Sequence, residues 1–274
     1  RGFTVFSRNG QPLYDAGQSF DYMTVRLGHY FEERNKKGSE PESVVVGNYG
    51  KQEYVFVGSE RSNLVGVYSK GKGNDLQFVQ ALPTGAGPEG LLVIPERDLI
   101  VASTEVDNPV RAQINIFRLE KKIPAYPQIE SVVNDDGKPI PWGALSALVA
   151  DNNDANTLYT VHDSFYNNSR IYTVDVSSMP ARITGETVLM KNGTTVSYDL
   201  EGIAQRSNGS FWLASEGAGN APAPASYNLL IQAAANGTVE KEIRLPAAVD
   251  AKQKSNGYEG VAVTGAVGVD EKVY

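Results

Sequence analysis

The chain of 274 residues carries a formal net charge of −7, is 41% hydrophobic and contains no cysteine. That is enough apolar material for a sizeable core, and it excludes disulfides and thiolate metal sites. The acidic balance, with no basic cluster, argues against nucleic acid as a partner. No apolar run approaches the roughly 18–20 residues of a membrane-spanning helix, so no transmembrane segment is expected.

In chain order, residues 2–10 read as a strand entering an Asn9-Gly10 turn. The best helical stretch is 25–37, which is charged and weakly amphipathic and places His29 in solvent. A hairpin pattern then recurs. Residues 41–46 are followed by 54–60, and 88–93 by 99–105. A degenerate copy, 142–149 with 158–164, lacks the leading glutamate. The best preserved copy, 199–204 with 211–216, turns through Arg206-Ser207-Asn208-Gly209, and a last one opens at 258 and reaches Lys272-Val273-Tyr274. An Asn-Gly turn between two apolar runs is a hairpin signal.

Outer strands follow each hairpin: 64–69 and 76–82, then 114–119, then 170–175 with 186–190, then 229–233 and 239–245. A unit is about four short strands. The starts near residues 42, 89, 143, 201 and 259 lie about 47 to 58 residues apart, near the period of a β-propeller blade. Runs such as Tyr54-Val55-Phe56-Val57 are apolar at successive positions, as in strands buried on both faces. The predicted fold is all-β: one β-propeller domain over 1–274 of four-stranded antiparallel blades, with five blade openings visible. Residues 1–30 supply outer strands for the blade that opens at 259, or for a missing segment. The ends either close a ring of five blades or belong to a larger propeller, and the stop at Tyr274 inside a strand favours the larger one.

The blade pattern makes Glu42, Glu89, Glu201 and Glu259 equivalent at the starts of inner strands, and Glu60, Glu105, Asp163 and Glu216 equivalent at the ends of their partners. Carboxylates gathered in this way repel one another unless cations intervene. Oxygen donors of this kind suit a hard cation, Ca²⁺ or another divalent ion, which could polarise a phosphoester and activate water. Arg61 and His162, each beside a repeat carboxylate, are the candidates to hold an anionic substrate or its leaving group. The alternative reading makes the repeated Glu-Gly structural, the glycine supplying an unusual φ.

Other motifs carry less. His162-Asp163-Ser164 contains triad residue types, but neighbours in a strand point to opposite faces. The run Asp151-Asn152-Asn153-Asp154 has the composition of a calcium loop without its glycine or distal glutamate, and reads as a polar turn. The sequons at Asn167, Asn192, Asn208 and Asn236 read as turns. Residues 218–225 read as a mobile surface loop after Glu216.

Two groups of motifs resemble known families. Residues 199–204 with 211–216, preceded by Asp163-Ser164 and Arg170-Ile171-Tyr172, resemble the phytase-like family, described as having esterase-like activity of phytase. Glu40-Pro41-Glu42, residues 56–61 and Gly87-Pro88-Glu89-Gly90-Leu91 resemble the choice-of-anchor secreted propellers. The resemblance implies a bacterial propeller that is periplasmic, secreted or attached to the cell surface, with a phosphoester hydrolase activity and a small phosphorylated substrate. A non-catalytic propeller that binds a surface ligand or a protein is the competing expectation.

Overall fold

The computed structural model describes residues 1–30, 36–217, 227–250 and 257–274, so the predicted loop at 218–225 lies outside the described residues. Residues Arg1–Pro141 form one compact unit and Trp142–Tyr274 a second.

In the first unit, β1 (Thr4–Phe6) and β2 (Pro12–Asp15) pair as a hairpin, and α1 (Ser19–Arg26) follows. Next come β3 (Pro41–Tyr49), β4 (Gln52–Ser59), β5 (Leu64–Lys70) and β6 (Leu76–Pro83), one antiparallel sheet in that spatial order. A three-stranded sheet follows, of β7 (Pro88–Ile94), β8 (Leu99–Thr104) and β9 (Ile114–Arg118), and β10 (Ile129–Ser131) comes after it. In the second unit, β11 (Leu145–Ala150), β12 (Thr157–His162), β13 (Arg170–Asp175) and β14 (Ala181–Val188) form an antiparallel meander. The short hairpin of β15 (Met190–Lys191) and β16 (Thr194–Thr195) turns at Asn192-Gly193. The sheet β17 (Leu200–Gln205), β18 (Phe211–Ser215), β19 (Leu229–Ala233) and β20 (Val239–Arg244) is followed by α2 (Ala247–Asp250) and the hairpin of β21 (Val263–Thr264) and β22 (Lys272–Val273). Meanders of four antiparallel strands in sequence order are β-propeller blades, and the fold class is all-β.

The second strands of the blades are the most buried. All five residues of β18 are buried, as are the last five of β4. They are flanked on both edges within the sheet and packed on both faces, which is why their sequences do not alternate. In the second unit, Leu213, Leu229, Ile231 and Leu200 sit at one centre. Burying each such side chain contributes about 1.5–3 kcal/mol.

Two predicted elements move. The helix lies at Ser19–Arg26, not at 25–37, of which 31–35 are outside the described residues. Phe20, Met23 and Leu27 share one face and pack against Val55, Leu64 and Tyr68, while Gly28 at φ 72° ends the helix. The fourth strand of the third blade begins at Ala181, not near 186, and stops before Leu189. Ile183 is its buried contact, and Met190 passes into the next hairpin. His29 is also not solvated: its Nδ1 lies 2.7 Å from the Ser62 carbonyl and its Nε2 2.7 Å from the Tyr126 hydroxyl.

Candidate functional site

The inner hairpins of the first four blades contain the same irregularity. The register of β3 on β4 slips between Pro41 and Ser43, leaving Glu42 as the extra residue. The slip recurs between Pro88 and Gly90, between Leu145 and Ala147, and between Leu200 and Gly202. A β-bulge re-aims the side chain of the inserted residue, and here that residue is Glu42, Glu89, Ser146 or Glu201. The degenerate blade therefore aligns through Ser146, three residues beyond the predicted start at Gly143. Its hydroxyl donates to the Leu200 carbonyl at 2.6 Å, joining two neighbouring sheets where the other blades present a carboxylate.

A second recurring contact fixes the opposite corner. The N–H groups of Glu60, Glu105, Asp163 and Glu216 donate to the carbonyls of Glu40, Gly87, Ala144 and Asp199, at 2.9–3.1 Å. These acceptors stand two residues before the bulge. Glu40, Gly87 and Ala144 hold positive φ, which turns the chain sharply into the inner strand.

The consequence is a cluster of carboxylates in each unit. In the first, Glu40, Glu42 and Glu60 bring ligand oxygens within 4.8 Å of one another, as do Glu60, Glu89 and Glu105. Arg61 lies inside this group: its Nε donates to Glu40 Oε2 at 2.9 Å and its Nη2 pairs with Glu60 Oε1 at 2.8 Å. Lys37 and Arg1 also reach Glu40, at 3.2 and 3.3 Å. The Arg61 hydrogen bond, followed by Lys37, holds the Glu40 carboxyl below its usual range. Burial, with Glu42, Glu40 and Glu105 adding to it against Arg61, pushes Glu60 up to about 6.

In the second unit, Asp163, Asp199 and Glu201 converge within the same 4.8 Å. Burial raises Glu201 to about 7, and the charges of Asp163, Glu216, Asp199 and Glu259 add to the effect. Asp163 is raised by burial and by Asp199, and hydrogen-bonds both Asp199 and Glu201. Glu216 is raised by burial and by Glu259, to which it is hydrogen-bonded.

Supporting residues fix the second cluster. Asp199 accepts a hydrogen bond from the Ser164 hydroxyl, and its N–H donates to Ser215 Oγ at 3.2 Å. Asn228 is fully buried; its amide donates to the Glu216 carbonyl at 2.5 Å and accepts from the Tyr258 N–H at 2.6 Å. It thereby ties the Glu216 corner to the segment bearing Glu259. Gly202 has no unusual φ, so the expected role of the glycine is corrected: a Cβ there would meet Gly260 Cα and Val261 N at 2.9 Å. The glycine admits the next hairpin's backbone.

Of the predicted residues, Glu42, Glu60, Glu89 and Glu105 gather in the first unit, and Asp163, Glu201, Glu216 and Glu259 in the second. Glu40, Asp199, Ser164 and Asn228 were not singled out as site residues. A scan for the position two before each bulge finds Glu40 and Asp199; Ser164 and Asn228 have no such repeat to betray them. His162 is corrected. It is fully buried, its Nε2 faces the Asn168 carbonyl at 3.1 Å, its Nδ1 has no hydrogen-bond partner among the described residues, and burial lowers it to about 4. A neutral, inaccessible imidazole cannot hold an anionic substrate or its leaving group. Arg61 is paired with both Glu40 and Glu60. The run at Asp151 is a polar turn, with Asp151 Oδ1 accepting from the N–H groups of Asn153 and Asp154.

Residues 140–269 match the phytase-like family model, described as esterase-like activity of phytase, and residues 1–73 match the choice-of-anchor I domain. No curated protein matches the chain significantly. Among solved structures, the chain is similar to the hydrazine synthase of Kuenenia stuttgartiensis, at 12% identity over 76% of this chain and 49% of that one, with a TM-score of 0.27. It is similar to a functionally unknown protein from Desulfotomaculum acetoxidans, at 12% identity over 82% and 59%, with a TM-score of 0.29. A third is the WD40 β-propeller domain of Doa1, at 15% identity over 80% and 56%, with a TM-score of 0.27. The chain thus spans less than two thirds of the length of each. No helix among the described residues is long and apolar enough to cross a membrane.

Proposed function

We propose that this chain, with one segment matching a phytase-like model and another a choice-of-anchor I model, is part of an extracytoplasmic, metal-assisted phosphoester hydrolase. The observation that carries the reading is the convergence of Asp163, Asp199 and Glu201, with Glu201 raised to about 7, inside the phytase-like segment. The donor set fits a hard divalent cation such as Ca²⁺: it consists of carboxylate oxygens, with no thiolate or accessible imidazole among them. Asp163, Asp199 and Glu201 would hold the ion in the second unit, with Glu216 and Glu259 beside it. Glu42, Glu60, Glu89 and Glu105 would do so in the first. A bound cation would supply Lewis-acid polarisation of a phosphoryl oxygen and lower the pKa of a coordinated water.

The chain's own groups have narrower tasks in this reading. Ser164 orients Asp199 through its hydroxyl, and Asn228 holds the Glu216 corner against the Tyr258–Glu259 segment. Arg61 pairs with both Glu40 and Glu60 and offsets part of the charge of the first cluster, in which Glu42, Glu89 and Glu105 are exposed. Localisation in the periplasm, in the medium or at the cell surface rests on the choice-of-anchor match.

The test is hydrolysis of p-nitrophenyl phosphate and bis-p-nitrophenyl phosphate with Ca²⁺ and with a chelator, alongside metal content by elemental analysis. Turnover that depends on the ion and falls sharply in Glu201→Gln is the expected result. An inactive, metal-free protein at millimolar Ca²⁺ overturns the reading. The Ser164→Ala variant should weaken ion affinity by ~10–100-fold, as loss of an orienting partner does. A non-catalytic binding propeller is the second reading, favoured by the exposed apolar strand described next.

A further inference from the structure

The second blade is incomplete. Its sheet ends at β9, whereas the first, third and fourth blades carry a fourth strand, and no strand among the described residues pairs with the outer edge of β9. The register of β9 on β8 pairs Ile100 with Phe117 and Ala102 with Asn115, and Leu119 N–H donates to the Asp98 carbonyl. By antiparallel alternation, the backbone N–H and C=O groups of Ile114, Ile116 and Arg118 therefore point away from the sheet. Natural edges are usually blunted by short length, proline, bulges or inward charges. β9 instead shows Ile114 at 70% and Ile116 at 64% exposure, with no proline and no register slip.

Beside this edge lies a cavity of ≈ 160 Å³ between the outer parts of the first two blades. Tyr49, Tyr54, Phe56 and Phe117 form aromatic walls, and Arg118 and Lys122 also line it. Lys122 pairs with Glu120, whereas Arg118 has no ion pair among the described residues. Charge narrows the occupant further. Residues 111–122 hold Arg111, Arg118, Lys121 and Lys122; Arg111 pairs with Asp107 and Lys122 with Glu120, which leaves Arg118 and Lys121 without an ion pair among the described residues, in a chain of net charge −7.

We infer that the edge of β9 and the adjoining cavity form a docking site for an extended, acidic peptide segment of a partner protein. The segment adds an antiparallel fourth strand to the blade, satisfying the outward backbone groups of β9. Aliphatic residues lie opposite Ile114 and Ile116, and a carboxylate lies opposite Arg118. The residue opposite Phe117 faces the cavity, whose volume and walls suit one aromatic ring. A second copy of this chain fits less well. Self-pairing centred on Ile116 would set Lys121 of one copy opposite Arg111 of the other and Arg118 opposite Ile114, joining like charges and leaving the arginine without a carboxylate. This inference is independent of the acidic clusters and of any hydrolysis.

The probe is a fluorescein-labelled, amidated heptapeptide, Ser-Glu-Phe-Val-Thr-Ile-Ser, titrated by anisotropy, with hydrogen exchange read at the same time. Saturable binding is expected, with slowed exchange of the amides of residues 114–118. A scrambled peptide and one with lysine in place of glutamate should bind at least ~10-fold more weakly, as loss of a charge-assisted partner together with register requires. Ile116→Pro removes an outward N–H but no ladder bond to β8, so the fold should survive and binding should be lost. Arg118→Glu should reverse the preference between the glutamate and lysine peptides, which keeps the test decisive if the proline variant misfolds. Equal binding of the scrambled peptide, protection elsewhere, or binding kept in Ile116→Pro with an unchanged charge preference in Arg118→Glu would overturn the inference. So would a dimer of the free protein that Ile116→Pro abolishes, because the edge would then belong to a second copy.

Discussion

At the residue scale, the second cluster is a set of carboxylates held together against their own repulsion. Glu201 at about 7 and Glu60 at about 6 bind protons in the folded chain that they release in the unfolded chain near 4.5. A raised carboxyl contributes stability that is present at low pH and lost as the pH climbs through the folded value. Metal-free protein should therefore lose stability through these groups between about pH 4.5 and 7. His162 acts in the opposite sense, because a histidine lowered to about 4 disfavours the folded state as the pH falls below about 6.5. The decisive measurement is the difference in Tm between wild type and Glu201→Gln in chelator across this range. The variant should gain relative to wild type as the pH rises, and a constant offset would show that Glu201 is not raised.

At the scale of single elements, the bulge is the device that turns a repeated strand into a site. It delivers Glu42, Glu89 and Glu201 to corresponding corners, and the same corner accepts a serine in the third blade. Gly202 then allows the hairpin of β21 and β22 to approach. Gly202→Ala places a methyl 2.9 Å from backbone atoms that belong to another element, so it should cost about 1–3 kcal/mol, measured by denaturant unfolding. That hairpin is held from its other end by Arg206, which is 6% exposed and makes paired 2.7 Å bonds to Glu271 while lying 5.3 Å over Trp212. Arg206→Ala strands a half-buried carboxylate, and a loss of about 3–5 kcal/mol is expected. Arg206→Lys should rescue only part of it, because an ammonium cannot make the bidentate pair.

For the molecule as a whole, charge and ligand linkage give one further expectation. A net charge of −7 with two clustered groups of carboxylates means that a bound divalent cation adds stability by mass action. Titrating Ca²⁺ to 100 times its Kd should add about 2.7 kcal/mol per site and raise Tm in step with ion concentration. Monovalent salt should give a smaller rise by screening alone. A Tm that responds equally to sodium and calcium at matched ionic strength would leave no specific site.

The order of the strands was legible because their pattern is local. Successive apolar residues in β4 and β18, the Asn-Gly turns and the recurrence of Glu-Gly all report on a few neighbouring residues, and the observed strands follow them closely. The helix was misplaced because its charged continuation looked more helical than the short stretch whose face is buried. Ser146 was missed because a bulge residue is defined by the register of the partner strand. The same limit applies to chemistry. Sequence alone determined that the chain is an all-β repeat with a carboxylate near both ends of its inner hairpins. Only tertiary structure decided that Asp199 and Glu40 join them, that Arg61 is held by two of them, and that His162 is buried away from them. Those outcomes depend on desolvation and on charges brought close by residues far apart in the chain, which no local pattern encodes.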